Sequence, residues 1–361
     1  MAWHAIPMAY RILFALFLTL LADPVSAQSA ADRLQTILGR VPTCIVADQS
    51  GPIICGWGNG DAVRWVAVRG AQAGRNPNTP NRFAALRSAA PNQRDIIAEN
   101  ADAALRAAVG LTALDWVNTW EVAQGNVRVG AMDIYLDSEM RLRGALFVRG
   151  FEEEERGSGM VMWQGDIDYR PDPALEDPSN PFGGDVGLPL RFSFGGDQAL
   201  WATGWGALDA LIAPGGATLA GREDAQALIG GLRRVGNLGQ LASVRAWIRD
   251  GAELPINGAE AGPVEALALA DYARRETEGA AMVLLLAADR DAEAIATALG
   301  DAWPILTDIT TPNPPEIIVT GQAITLTIAG DWGPDGAAAN AGYDAFLAAL
   351  EGGRLGFLLS R

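Results

Sequence analysis

The pattern that most constrains the fold lies near the end of the chain. Two apolar runs, Ile317–Thr320 and Ala323–Ile328, are separated only by Gly321-Gln322. A Gly-X pair between two such runs suits a two-residue type II′ turn, so these residues predict a tight antiparallel hairpin. Ile324, Leu326 and Ile328 alternate with Thr325 and Thr327, which predicts one face on a core and the other in water.

The segments around this hairpin extend the prediction. Leu267–Tyr272 and Met282–Ala287 read as two further strands. Asp289–Trp303 reads as a helix, with Ile295, Leu299, Ala302 and Trp303 on one face, Asp289 as N-cap and Pro304 as its end. Asn340–Leu350 places Tyr343, Phe346, Leu347 and Leu350 at helical spacing, with Gly352 as a stop. Leu355–Leu359 closes the chain. This ββαββα order argues an α+β fold: an antiparallel sheet with helices packed on one face.

The remainder mixes the same elements. Residues 29–39, Asp95–Val109, Leu114–Val122 and Glu223–Val235 carry helical patterning. Val63–Val68, Arg141–Arg149 and Met160–Trp163 read as strands, with a polar loop over Gly70–Asn81. In Arg141–Arg149, Leu142, Leu146 and Val148 share one face of that strand and Arg141, Arg143 and Arg149 the other. Leu190–Phe194 and Gln198–Ala202 flank the turn Gly195-Gly196-Asp197. Turn residues gather in Gly251–Pro263, which suggests a loose division into regions 28–255 and 256–361, either as two similar layers or within one domain.

The first residues have the form of an export signal. Ile12–Ala22 is apolar but shorter than the roughly 20 residues a spanning helix needs. Asp23-Pro24 breaks it, and Val25-Ser26-Ala27 supplies small residues at the last and third-last positions of a peptidase site. Cleavage is therefore expected between Ala27 and Gln28, delivering the chain to a periplasm or beyond. In that oxidising setting the two cysteines, Cys44 and Cys55, are expected to pair.

Composition excludes several chemistries. The formal net charge is −16, which is unsuited to phosphate-rich nucleic acid. The chain has no lysine, and its one histidine, His4, lies in the leader. Ser-His-Asp and Cys-His mechanisms, Schiff-base lysines, P-loop lysines and imidazole metal sites are all removed from the mature chain.

What is left is oxygen chemistry and surface. Asp166, Asp168 and Asp172 form an oxygen-rich Ca²⁺ candidate, although the EF-hand spacing is not met and solvated loop acids are the plainer reading. Glu152–Glu155 reads as the charged tip of a hairpin, or as a dock for a basic partner. Trp116 with Trp120, and Trp201 with Trp205, have i, i+4 spacing, and Trp57 sits among glycines as the tryptophan most expected at the surface. No catalytic set or cofactor motif emerges. The leading expectation is a non-catalytic periplasmic binding, scaffold or accessory module. The alternatives are a carboxylate-dependent hydrolase or lyase on envelope polysaccharide, and a carrier or sensor of a small apolar or lipid ligand.

Overall fold

The structure is a computed structural model that describes residues 29–355, apart from 48, 61, 63–86, 88, 90–92, 94–95, 98, 113–114, 116–117, 157–158, 251–253, 255–263, 274–276, 307–313, 332–339 and 352–354. The leader with its Ala27/Gln28 junction, the Val63–Val68 strand, the Gly70–Asn81 loop and all but Leu355 of the closing run lie outside those residues.

Twelve strands form one antiparallel sheet. In chain order they are β1 (Ile53–Asn59), β2 (Asn118–Gln124), β3 (Val127–Asp133), β4 (Glu152–Arg156), β5 (Gly159–Gln164), β6 (Leu190–Gly195), β7 (Gln198–Ala202), β8 (Gln240–Ile248), β9 (Val264–Ala273), β10 (Thr277–Leu286), β11 (Glu316–Thr320) and β12 (Ala323–Asp331). Their spatial order is β11-β12-β10-β9-β8-β1-β2-β3-β7-β6-β5-β4. The helices are α1 (Ala30–Arg40), α2 (Asp102–Val109), α3 (Leu136–Val148), α4 (Trp205–Ile212), α5 (Glu223–Leu232), α6 (Ala292–Leu306) and α7 (Ala341–Glu351).

The expected ββαββα unit is present as β9, β10, α6, β11, β12 and α7. Its turn is as expected: Gly321 has φ +59°, and Thr320 pairs with Ala323. Helices, however, cover both faces of the sheet rather than one. On β10, Ala281 and Val283 join the core under α1 and α5, while Ala280, Met282, Leu284 and Leu286 join the core under α6 and α7. The uninterrupted apolar run is the cause, because a strand buried on both faces has no reason to alternate. Thr325 and Thr327 are accordingly buried, and Thr325 Oγ1 donates to the Gly231 carbonyl of α5 at 3.3 Å.

The suggested division at 255/256 falls within a β-hairpin. β8 and β9 pair on either side of it, with Val244 opposite Ala270, so one sheet runs through both regions. A third core, bounded by α2 and α3, packs Phe151, Met162, Phe182, Phe192 and Trp201 at the other end of the sheet.

The segment read as a helix over Leu114–Val122 is largely strand β2. Trp120 therefore faces the core opposite Trp57. Trp57 is itself only 4% exposed and lies under the Arg33 guanidinium at 4.5 Å. Trp201 is on β7 and Trp205 opens α4, so the i, i+4 pairing on a helix face does not form.

Candidate functional site

Arg141–Arg149 is not a strand but the body of helix α3. Leu142 and Leu146, four apart, are fully buried with Ser138 one turn earlier. Asp137 and Glu139 occupy the first turn, where the helix dipole favours negative charge. They also pair forward with Arg141 and Arg143 in the favourable i, i+4 sense, at 3.8 and 3.5 Å. At the other end the Phe151 N–H donates to the Leu146 carbonyl and the Gly150 N–H to the Phe147 carbonyl. Gly150 has φ +82°, and Phe151 and Leu146 share one core. This is a Schellman stop closed by its hydrophobic contact.

A second apolar stripe lies about a third of a turn around the helix from Leu142 and Leu146. Leu136 is 74%, Met140 63% and Phe147 68% exposed. At 100° per residue these three fall within one narrow stripe over three turns. Gly144 lies beside the stripe with open space where a Cβ would be. Tyr135, before the helix, and Val148, at its end, are exposed as well. A surface helix normally turns one apolar face inward and a polar face to water. Full burial of each such side chain would contribute about 1.5–3 kcal/mol, so α3 leaves a sizeable free energy of burial unused.

An acidic sheet edge adjoins this stripe. Glu152–Glu155 is not a hairpin tip but most of β4, the last strand of the sheet. Its inner edge pairs with β5, Glu153 lying opposite Met162 and Glu155 opposite Met160. Among the described residues no strand pairs with its outer edge. Arg143 joins helix to edge: its guanidinium reaches Glu153 at 3.3 Å and lies 5.5 Å from the Phe194 ring.

The oxygen-rich loop does not gather a metal site. Among the described residues no group of three or more acids, cysteines or histidines could hold a metal ion. Asp168 is occupied in structure: one oxygen accepts from the Trp205 N–H at 2.7 Å, and the other meets the wholly buried Arg191 at 2.9 Å. Asp172 accepts from the Ala174 N–H and caps a short 3-10 turn. Asp166 and Asp172 do line a cleft of about 340 Å³ with Ile167, Arg170, Leu175 and Pro189. Between Asp168 and Arg170, Tyr169 takes φ +60°, a left-handed conformation unusual for an aromatic residue. Arg191 donates to the carbonyls of Gln164 and Gly165 and sits 5.1 Å from the Trp205 ring, which ties the loop to the sheet.

The expected disulfide is absent. Cys44 is exposed in the turn after α1, whereas Cys55 is buried on β1 between Val122 and Ala246. Burial pushes the Cys55 thiol up to about 12, so it packs as a small apolar group.

A buried polar cluster lies between the two cores on the sheet's second face. Asp271 accepts from Arg87 at 2.7 and 2.6 Å and from Asn340 at 2.7 Å. Asn340 also donates to the Gly279 carbonyl and caps α7 by accepting from the Tyr343 N–H. Glu278, 4% exposed, stands 3.9 Å from Arg87, and burial pushes its carboxyl up to about 7. Among the described residues these contacts hold the start of α7 and Arg87 onto β9 and β10.

Sequence reasoning missed the α3 stripe because a period of two fits Leu142, Leu146 and Val148 as well as a helix does. Two signals could have decided it: the acid–arginine pairs at 137/141 and 139/143, and the Arg149-Gly150 stop.

No family model matches this chain, and no curated protein matches it. Among solved structures, crystal form III of TP0453 is similar at 10% identity, covering 86% of this chain and 97% of that one, with a TM-score of 0.39. Crystal form I of the same protein is 11% identical over 86% and 96%, again at 0.39.

Proposed function

We propose that this chain is a non-catalytic binding or accessory protein of the cell envelope, acting through the outer face of α3. One observation carries the reading: Leu136, Met140 and Phe147 stand 63–74% exposed in a row on a helix with acids in its first turn, i, i+4 ion pairs and a closed C-terminal stop. A contiguous exposed apolar patch rimmed by charge is the physical mark of an interaction surface. The missing imidazole and amine side chains support the non-catalytic part, and the leader-like residues 1–27 support the envelope location.

A photo-crosslinking amino acid at Phe147, in cells making the full chain, tests the reading. The expected result is a discrete adduct that is lost in Leu136→Gln/Met140→Gln and absent when the same probe stands at exposed Asp289. Equal labelling at both positions, or a measured turnover on envelope polysaccharide that survives those substitutions, would remove it. Fractionation with N-terminal sequencing checks the location: the native chain should begin at Gln28.

A further inference from the structure

We infer that the α3 face and the β4 edge together receive a basic polypeptide segment, which adds as a strand beside Glu152–Arg156 and lays apolar side chains on Met140 and Phe147. This rests on the binding reading above and names its partner's chemistry.

Three features converge. The outer edge of β4 offers backbone donors and acceptors that no described strand uses, which is the template for strand addition. The same strand carries four consecutive exposed glutamates, with Glu152 and Glu154 level with Trp163 and Val161, on the face away from α3. Such charge blocks pairing with a neutral or acidic edge, but favours arginine or lysine at the alternate positions of an incoming strand. Arg143, next to the apolar stripe on α3, reaches Glu153 of this strand at 3.3 Å. Side chains along a strand alternate between the two faces, so an alternating segment can set its basic residues level with Glu152 and Glu154 and its apolar residues on the α3 side, over the stripe.

The competing occupants meet the same charges. A second copy docked symmetrically would set its own glutamate edge against this one, and each chain carries a formal charge of −16. An anionic lipid surface is repelled likewise. A basic polypeptide is the occupant whose charge complements the site.

The test uses the full-length protein and fluorescent peptides of about seven residues, a usual strand length. One peptide alternates Arg and Leu, a second alternates Glu and Leu, and a third is the first with a central proline. The Arg/Leu peptide should bind, and hydrogen exchange at 152–156 should slow on binding. Glu152→Gln/Glu154→Gln and Met140→Ser/Phe147→Ser should each weaken it by roughly tenfold or more. Asp289→Asn, a remote exposed acid, should leave it unchanged, and the proline peptide should bind more weakly.

Equal weakening by Asp289→Asn, equal binding of the Glu/Leu peptide, or no protection at 152–156 would overturn the inference. So would a concentration-dependent dimer, or adsorption to neutral phosphatidylcholine vesicles, abolished by Met140→Ser/Phe147→Ser while the peptide fails to bind. In each case a crosslink from Phe147 would leave the binding reading standing and only the partner's chemistry refuted.

Discussion

Single residues set how tightly the elements can meet. Gly110 ends α2 at φ +71°, and a Cβ there would lie 2.2 Å from the Arg141 carbonyl oxygen of α3. Gly110→Ala combines left-handed strain with a backbone clash, so it should cost about 2–4 kcal/mol in denaturant unfolding. Gly144→Ala makes the opposite case. That glycine is mid-helix with nothing near it, so alanine should stabilise by about 0.5–1 kcal/mol.

Glu278 gives the sign of a pH effect. Its folded carboxyl titrates near 7, above the ordinary 4.5, because burial opposes its charge more than Arg87 favours it. The folded state therefore holds a proton that the unfolded chain releases. Stability from this group is complete below about 4.5 and is lost as pH rises through about 7, a change on the order of 3 kcal/mol. Glu278→Gln should remove that slope in thermal unfolding between those values, and an unchanged slope would refute the assignment. The thiols give a third residue-scale check. One maleimide should react with the native protein, at Cys44, and a second only after unfolding exposes Cys55. Gly110, Gly144 and Glu278 did not stand out in the sequence, and the cysteines stood out only as an expected pair, because each role depends on which distant segment lies against the residue.

At the scale of elements, legibility followed periodicity. Asp289–Trp303 and Asn340–Leu350 were readable as helices because their apolar residues recur only at helical spacing. The β6–β7 hairpin was readable from Gly195-Gly196-Asp197. The α3 segment defeated the same logic because it is apolar on two sides, so its pattern points to no single face. That ambiguity is the physical property of interest. Leu142→Ala should cost about 2–5 kcal/mol, as expected for a buried leucine. Met140→Gln/Phe147→Gln should leave unfolding within about 0.5 kcal/mol of the parent, as expected at surface positions. A large loss from the second pair would mean that the stripe is already covered by this chain itself.

Across the whole molecule, the ββαββα order revealed an antiparallel sheet but not its extent. Four joins between strands distant in sequence, β1 to β2, β1 to β8, β3 to β7 and β10 to β12, build the twelve-stranded sheet, and no local pattern encodes them. The tryptophans were misplaced for the same reason: Trp57 looked exposed among its glycines, yet β2 and β8 enclose the strand that carries it. With cores on both faces, the exposed apolar face of α3 is a part of the molecule that the described contacts do not explain. Oxidative footprinting of methionines, in purified protein and in intact cells, tests that claim most directly. The account predicts that Met140 oxidises far faster than buried Met162 and Met282 in isolation, and becomes protected in the cell. Met140 as slow as Met282 in the purified chain, or equally reactive in both settings, would contradict it.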